Sequence, residues 1–331
     1  MTQPVPSMEQ ARNDAACLVK QARRIAVMAH VNPDADAIGS VLGLALGLQA
    51  LRKETTPALS DPVPNYARFL PGSDLIVSSL PADHFDLFIV ADSAGIERLG
   101  NLYLDEPTRF ERAPIINLDH HRTNPLFGTV NYVDPAASST SELSYHLLRT
   151  LGAALDAASA NALLFGIVGD TGSFRNGATT PGSLHVAADL IAAGADSQKI
   201  AFQLFECKTF GAARLWGRVI STIELDPERG IIFACLSQEM LAEEGATVDE
   251  IEGIAEYLRG IAEAEVVMLL KETPEGEIRV SMRSRPRVDV SAIAEALGGG
   301  GHRQAAGCTV PGPFSRARAL LVEAFDRLTP R

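Results

Sequence analysis

The sequence predicts an α/β protein with a doubly wound, mostly parallel sheet, followed by a smaller α/β domain with a mixed sheet. First, short apolar runs rich in Ile and Val alternate with helical patterns, as is typical of parallel strands covered by helices on both faces. Second, 331 residues are more than one ordinary hydrophobic core requires. Third, two strand patterns near the C-terminus flank TPEG, a hairpin-type turn that indicates antiparallel pairing in the second sheet.

The first domain begins with apolar strands and a long apolar helix. Strands are predicted at RIAVMA (24–29), LFIVAD (87–92) and PIINLD (114–119). The apolar run at 38–51 is shorter than the roughly 20 residues of a membrane span, so we interpret it as a buried helix. Its glycines Gly39, Gly43 and Gly47 recur as in membrane helix dimers, but we expect them to mark a close helix-to-sheet contact. Further helices are predicted at 137–152, 157–169 and 182–194.

The second domain is expected after a helical connection. The pattern stays helical from Asp196 to about Ile223, so we predict domains at 1–195 and 216–331 with a helical linker at 196–215. GIIFACLS, AEVVMLLKE and EIRVSMRS have strand patterns, and DEIEGIAEYLRGI and FSRARALLVEAFDRL have helical ones.

Composition excludes several classes of protein. A net charge of -12 argues against a surface that tracks long duplex nucleic acid, because such binding depends on Lys and Arg. The four cysteines are scattered without a C-x-x-C pair, which fits a reduced, cytoplasmic protein. The N-terminus lacks the apolar core of a signal peptide, so neither export nor a membrane partner is expected.

Potential metal ligands follow the predicted strands. Ligands of open parallel sheets bind beyond the carboxyl ends of the strands. The first strand is followed by H-x3-D-x-D, the second ends at an aspartate, and the third ends in D-H-H. Another aspartate ends the apolar helix of GIVGDTGSF. The candidate residues are His30, Asp34, Asp36, Asp92, Asp119, His120, His121 and Asp170.

Taken alone, each cluster has an ordinary structural interpretation. Asp34 or Asp36 is placed to cap the helix that begins near Ala37, and Asp92 with Ser93 resembles another helix cap. Taken together, the carboxylates and imidazoles would repel one another unless cations neutralise them, which favours two divalent ions. Oxygen and imidazole ligands without thiolate suit Mn²⁺, with Mg²⁺ or Co²⁺ as alternatives. Two such ions stabilise an in-line displacement at phosphorus, so the pattern predicts phosphoester hydrolysis.

A second candidate site lies near the C-terminus. The glycines at 298–301 allow an anion to approach the backbone closely, and basic side chains surround them. These side chains are Arg283, Arg285, Arg287, His302 and Arg303. A flexible loop with solvated arginines is the alternative, and the spacing is not that of a P-loop. Taken together with the predicted metal site, the cluster is interpreted as a phosphate or nucleotide clamp.

The motifs HVNPDADAIGS, ADSAGIERLG, LDHHRTNPLFG, GIVGDTGSF and GGGGHRQAAG, in that order, resemble the DHH phosphoesterase superfamily with its DHH-associated C-terminal domain. The resemblance covers about residues 24 to 325 and is strongest to the bacterial oligoribonuclease/pAp phosphatases, or nanoRNases. It implies a two-domain enzyme with a cleft between the domains and two Mn²⁺ ions on the larger one.

The resemblance also implies roles for individual residues. One ion would be held by His30, Asp34 and Asp92. The other would be held by Asp36, Asp92, His120 and Asp170, with Asp92 bridging the two. His121 would act on the scissile phosphate or the leaving group, and Asp119 would orient a histidine. Substrate phosphates and the terminal nucleotide would be bound by Arg98, Arg283, Gly300, Gly301 and His302.

The expected function is hydrolysis of very short RNA to 5′-mononucleotides and of pAp (3′-phosphoadenosine 5′-phosphate) to AMP. Cleavage of cyclic di-AMP or pApA is an alternative that the motifs do not separate. A non-catalytic nucleotide sensor is the alternative from another class. A sensor would be expected to have lost at least one metal ligand, but all six ligand positions of the motifs are filled. Inorganic pyrophosphatase and a long-chain exonuclease of the RecJ kind are disfavoured by the GGGGH loop and by the acidic net charge, respectively. A homodimer is compatible with the sequence.

Overall fold

The computed structural model describes residues 7–82, 84–251 and 253–329, and the chain divides between Cys207 and Lys208 into two compact units. The outer ends of the predicted domains, residues 1 and 331, lie outside the described residues. The predicted α/β architecture is confirmed, because one unit contains a parallel sheet and the other a mixed sheet.

The first unit is built on a parallel five-stranded sheet with the order β2-β1-β3-β4-β5. The strands are β1 (Arg24–Met28), β2 (Glu54–Ala58), β3 (Leu87–Ala91), β4 (Ile115–Asp119) and β5 (Val130–Val133). The three predicted strands are confirmed as the inner strands, and their apolar side chains are buried in cores on both faces of the sheet. The two edge strands were not predicted; β2 contains Pro57, which an edge strand tolerates because it needs fewer N–H donors.

Seven α-helices belong to the described part of the first unit. They are α1 (Met8–Gln21), α2 (Ala35–Ala50), α3 (Asn101–Leu104), α4 (Thr140–Thr150), α5 (Ala157–Asp170), α6 (Pro181–Ala192) and α7 (Ser197–Ala201). A large core lies between one face of the sheet and α1, α2, α4, α5 and α6, and a smaller core with α3 covers the other face. Among the described residues, no helix is both long and apolar enough to cross a bilayer.

The glycines of α2 contact helices rather than the sheet, so the predicted helix-to-sheet contact is wrong. A Cβ atom on Gly39 would lie 2.6 Å from the carbonyl oxygen of Ala162 in α5. A Cβ on Gly43 would overlap the Leu163 side chain, and one on Gly47 would lie 2.6 Å from Leu148 in α4. Without side chains at these positions, the start of α2 can approach the end of α5 closely.

The second unit contains a mixed six-stranded sheet with the order β10-β11-β9-β8-β7-β6. Its strands are β6 (Glu224–Asp226), β7 (Ile231–Leu236), β8 (Val266–Glu272), β9 (Glu277–Ser284), β10 (Gly300–His302) and β11 (Ala305–Pro311). β7 and β8 are parallel, and the other neighbours are antiparallel. The predicted strands β7, β8 and β9 and the hairpin turn between the last two are confirmed.

Helices cover both faces of the second sheet. They are α8 (Phe210–Ser221), α9 (Gln238–Glu244), α10 (Ile254–Arg259), α11 (Val290–Ala296) and α12 (Phe314–Leu328). The single helix predicted over DEIEGIAEYLRGI is wrong: a 3₁₀ turn at Val248–Ile251 precedes α10. Gly253 separates them with φ of 88°, a left-handed conformation that a right-handed helix cannot continue through.

Candidate metal centre

His30 lies in the loop after β1 with its ring fixed by the backbone. Its Nδ1 is 2.7 Å from the carbonyl oxygen of Val31, which accepts the Nδ1 proton and leaves Nε2 as the ring atom facing the carboxylates. Nε2 is 3.5 Å from Asp92 Oδ2 and 3.9 Å from Asp34 Oδ1. The same loop is held by Val31 N–H, which donates to the carbonyl oxygen of Arg98 at 2.7 Å.

Asp34 is both a helix cap and a member of the acidic cluster. Its Oδ1 accepts hydrogen bonds from the N–H groups of Asp36 and Ala37 at the start of α2, so the capping interpretation is correct for Asp34. Its side chain is 59% exposed and close to His30 and Asp92. A carboxylate offers several lone pairs on two oxygens, so capping does not prevent cation binding.

The Asp36 side chain points away from that of Asp34 and is buried against the first turn of α4. Its Oδ2 accepts from Thr140 N–H at 2.6 Å, and its Oδ1 accepts from Ser141 N–H at 2.9 Å. Ser40 Oγ lies 3.4 Å from the same Oδ1. Asp34 and Asp36, two residues apart, therefore belong to different parts of the cluster.

Asp92 lies at the centre of the cluster, directly after β3. Its φ of 53° is unusual for a residue with a side chain and marks local strain of the kind found at functional sites. Its Oδ2 faces His30, whereas its Oδ1 is 3.7 Å from both His120 Nε2 and His121 Nδ1. One carboxylate oxygen is thus directed to each side of the cluster.

The histidine pair after β4 is held by a buried polar network. Asp119, at the end of the strand, accepts from the His120 N–H at 2.8 Å and lies 2.7 Å from His121 Nδ1. Asn124 Nδ2 donates to the other oxygen of Asp119 at 2.5 Å, and Asn117 joins the network through Asn124. This arrangement fixes the ring of His121 with Nδ1 toward Asp119.

Asp170 completes the cluster from the last residue of α5. Its Oδ2 is 3.1 Å from His120 Nε2. The chain then makes a left-handed turn, with φ of 57°, 60° and 60° at Gly172, Ser173 and Phe174. Two non-glycine residues in this conformation store strain, and Asn176 Nδ2 stabilises the turn by donating to the carbonyl oxygen of Asp170.

The pKa values describe a site that attracts positive charge. Burial alone would raise the pKa of Asp92, but the hydrogen bond with His30 and the charge of His120 lower it to about 2. Burial alone would lower the pKa of His120, but its hydrogen bond with Asp170 and the charge of Asp36 raise it to about 10. Burial and the charge of Asp92 raise the pKa of Asp36 well above its ordinary value. Protons thus balance crowded carboxylates, and a divalent cation would displace such protons on binding.

Three overlapping groups of ligand atoms result, each with its atoms within 4.8 Å of one another. They are His30, Asp34 and Asp92; Asp36, His120 and Asp170; and Asp92, His120 and His121. The donors are carboxylate oxygens and imidazole nitrogens, which suit Mn²⁺ and similar divalent ions. The residues fit a pair of cations, and we call this cluster, from four chain segments at one edge of the sheet, the metal edge.

Several supporting residues were not predicted. Ser40, Ser139, Thr140 and Ser141 are fully buried, as is Asn117 in the middle of β4. The run ASSTSE at 137–142 could have indicated them, because it contains more hydroxyl side chains than one helix cap uses. The asparagine in the apolar strand INL is another indication, because a buried amide requires hydrogen-bond partners.

The remaining predicted residues lie elsewhere. The Arg98 side chain is exposed, and its backbone supports the His30 loop. In the second unit, Arg283 of β9 pairs with Ala305 of β11, which pairs with His302 of β10. Directly paired residues of antiparallel strands share a face, so Arg283 and His302 lie on one face with Gly300, which we call the hairpin face. Arg283 forms a salt bridge with Glu256.

The glycine run at 298–301 is part hairpin rather than a simple loop. A Cβ on Gly299 would overlap the backbone of Gly307, and one on Gly301 would lie 2.5 Å from Ala306 Cα. These two glycines are required by packing between strands. Nothing lies within 4 Å of a Cβ placed on Gly300, which leaves that position open to a ligand.

The geometry defines an α/β protein with a candidate site for divalent cations at the carboxyl edge of a parallel sheet. The model of the DHH family N-terminal domain matches residues 24–167, and that of the DHHA1 domain matches residues 230–329. The bifunctional oligoribonuclease and PAP phosphatase of Thermus thermophilus is 37% identical over 295 residues, covering 87% of this chain and 84% of that protein. The chain therefore belongs to the DHH family and carries a DHHA1 domain, as its motifs predicted.

Two further comparisons bear on fold and function. An exopolyphosphatase-related protein from Bacteroides fragilis has a TM-score of 0.90 at 23% identity, covering 100% of this chain and 99% of that one, which confirms the fold. A cyclic-di-AMP phosphodiesterase from Geobacillus thermodenitrificans is 29% identical over 308 residues, but the match covers 86% of this chain and only 44% of that protein.

Proposed function

We propose that this protein is a hydrolase that releases 5′-mononucleotides from short oligoribonucleotides and converts pAp to AMP. The observation that carries the proposal is the metal edge, in which seven side chains from four segments form overlapping groups of divalent-cation ligands. The likeness to a named oligoribonuclease and PAP phosphatase over most of both chains supports the choice of substrates. We propose Mn²⁺ as the ion and a cytoplasmic location, with which the four free cysteines are compatible.

Six residues would hold the ions: His30, Asp34, Asp36, Asp92, His120 and Asp170. When bound, two divalent ions supply positive charge that activates water and stabilises an in-line displacement at phosphorus. The protein holds the ligand side chains in position before the ions bind. Asp92 directs its two oxygens to opposite sides of the cluster, and backbone N–H groups hold Asp36.

His121 is the group of this chain that we assign to proton transfer. Its hydrogen bond with Asp119 is the main cause that raises its pKa, which favours the protonated imidazole. With Nδ1 at Asp119, the proton on Nε2 is the one to donate to the leaving oxygen. Arg98 and the hairpin face, with Arg283, Gly300 and His302, are proposed to bind substrate phosphates together with Gly301. The metal-binding domain is proposed at 1–195 and the substrate-binding domain at 216–331.

The alternative substrate, cyclic di-AMP, is not favoured. The cyclic-di-AMP phosphodiesterase is less similar to this chain than the oligoribonuclease and PAP phosphatase is, and the match covers less than half of the phosphodiesterase. A nucleotide sensor without activity is disfavoured because all six ligand positions carry metal-binding side chains.

Initial rates on a panel of substrates test the proposal. The panel contains di- to deca-ribonucleotides, pAp, pApA and cyclic di-AMP, each with Mn²⁺, Mg²⁺, Co²⁺ or a chelator. We expect the highest kcat/KM on the shortest RNA and on pAp with Mn²⁺, and no turnover with the chelator. Equal rates on short and long RNA, or preference for cyclic di-AMP, would contradict the proposed substrates. Nucleotide binding without hydrolysis would favour the sensor.

A further inference from the structure

One helix turn contacts carboxylates from two separate segments of the metal edge. Thr140, the first residue of α4, donates its backbone N–H to Asp36 Oδ2 at 2.6 Å and its Oγ1 hydroxyl to Asp92 Oδ1 at 3.1 Å. Asp36 comes from the start of α2 and Asp92 from the end of β3. Thr140 is therefore one residue that links the two acids directly.

The surroundings of Thr140 leave these contacts little freedom. Thr140 and Ser141 are fully buried, and Ser141 Oγ lies 3.0 Å from Ser40 Oγ. A Cβ on Gly166 would overlap Ser141 Oγ and lie 2.7 Å from Asp36 Oδ1. The first turn of α4 is thus enclosed by α2 and α5, and its position fixes the position of both acids.

The two contacts of Thr140 differ in how they can be tested. The backbone N–H groups at the start of α4 carry partial positive charge and favour ionised Asp36, and no side-chain substitution removes them. The hydroxyl contact to Asp92 can be removed without changing the shape of the side chain, because valine is nearly isosteric with threonine. Loss of the hydroxyl leaves Asp92 Oδ1 with one fewer group to fix its direction toward His120.

We propose that Thr140 is a positioning residue of the metal centre, whose hydroxyl sets the orientation of Asp92 and thereby the affinity for divalent ions. This inference rests on the proposed function only in that Asp92 binds metal. Partners behind a metal ligand commonly change metal affinity by about 10- to 100-fold when they are removed. For Thr140→Val we expect an effect near the lower end of this range, with Mn²⁺ bound about 10-fold more weakly. The effect is limited because Asp92 keeps its contacts with three histidines.

Titration calorimetry of the metal-free, full-length protein with Mn²⁺ tests the proposal. Thr140→Val should weaken binding about 10-fold. Thr140→Ser retains the hydroxyl and should bind within about twofold of wild type. Thr150→Val is the matched control: its Oγ1 donates to the carbonyl of His146 on the same helix, and its loss should leave the affinity unchanged. Thr140→Ala replaces the valine variant if valine prevents folding.

The outcomes separate the positioning role from the proposed function. If wild type and Thr140→Val bind Mn²⁺ equally well, the positioning role is overturned. A lower urea midpoint of the variant would then show that Thr140 contributes only to stability. Weakening by both the valine and the serine variants would also overturn it, because the hydroxyl would not be the cause. If wild type binds no divalent ion, the proposed function itself fails.

Discussion

The metal edge and the hairpin face are the two candidate sites of this protein, and they are built differently. At the metal edge, residues from four segments lie close together; all but Asp34 are buried or half-buried, and a further layer of Thr140, Asp119 and Asn124 holds them. On the hairpin face, Gly300 and His302 are exposed, and the salt bridge of Arg283 with Glu256 is partly accessible to water.

This difference shows where each site gets its precision. A catalytic centre benefits from groups fixed before the substrate arrives, and buried polar networks provide that rigidity. A binding surface for varied short substrates needs only accessible charge and a backbone that a phosphate can approach. We therefore expect substitutions at the metal edge to act mainly on turnover and those on the hairpin face mainly on substrate affinity.

The largest effect is expected for Asp92→Asn. Asparagine has the shape of aspartate and tolerates positive φ, so the fold should persist while the central negative charge is lost. We expect kcat with Mn²⁺ on pAp to fall by more than ~100-fold, beyond the usual effect of a residue behind a metal ligand.

Asp86→Asn is the matched control for this variant. Asp86 precedes β3, at the opposite end of the strand, and accepts hydrogen bonds from the N–H groups of Arg23 and Arg24. Its loss should leave kcat within about twofold of wild type, since it lies away from the carboxyl ends of the strands. Comparable losses of kcat in both variants would mean that Asp92 acts through stability, which circular dichroism and urea unfolding would reveal.

The sequence predicted the inner parts of the fold better than its edges. β1, β3 and β4 are covered on both faces, so their mostly apolar sequences are a strong signal. β2 and β5 lie at the sheet edges and lack it; β2 carries Pro57, and β5 is the short VNYV. The glycines of α2 indicated a close contact, but which element they meet depends on tertiary packing.

The same limit applies to the candidate sites. Acids directly after strands can be predicted to meet, because parallel strands end at one edge. Thr140 could not be assigned to Asp92, since a hydroxyl at a helix start usually indicates only a cap. Likewise, the shared face of Arg283 and His302 depends on β11 lying between their strands, and sequence spacing does not encode strand order.

An intermediate effect is expected for Arg283→Ala on the hairpin face. A hydrogen bond to a charged group contributes about 1.5–3 kcal/mol, so loss of a phosphate contact should raise KM for pAp at least ~10-fold. The kcat should change little, because the residue lies outside the metal edge. Arg279→Ala is the control: Arg279 is on the same strand and face, four residues away. If both variants raise KM equally, general positive charge and not a specific contact would explain the effect, and a fall in kcat alone would contradict the division of roles.

The smallest effect, and the sharpest test of the hairpin face, comes from two adjacent glycines. A methyl group on Gly300 meets no protein atom within 4 Å, so Gly300→Ala should change the free energy of unfolding by less than about 0.5 kcal/mol. If a phosphate approaches the backbone there, KM for pAp should rise about threefold, equivalent to ~0.7 kcal/mol. Gly301→Ala should instead destabilise the unit by about 1–3 kcal/mol, because its φ is 144° and the new Cβ would meet Ala306. Urea unfolding and pAp kinetics on both variants separate the two roles. An unchanged KM in Gly300→Ala would mean that the glycine run serves the hairpin alone.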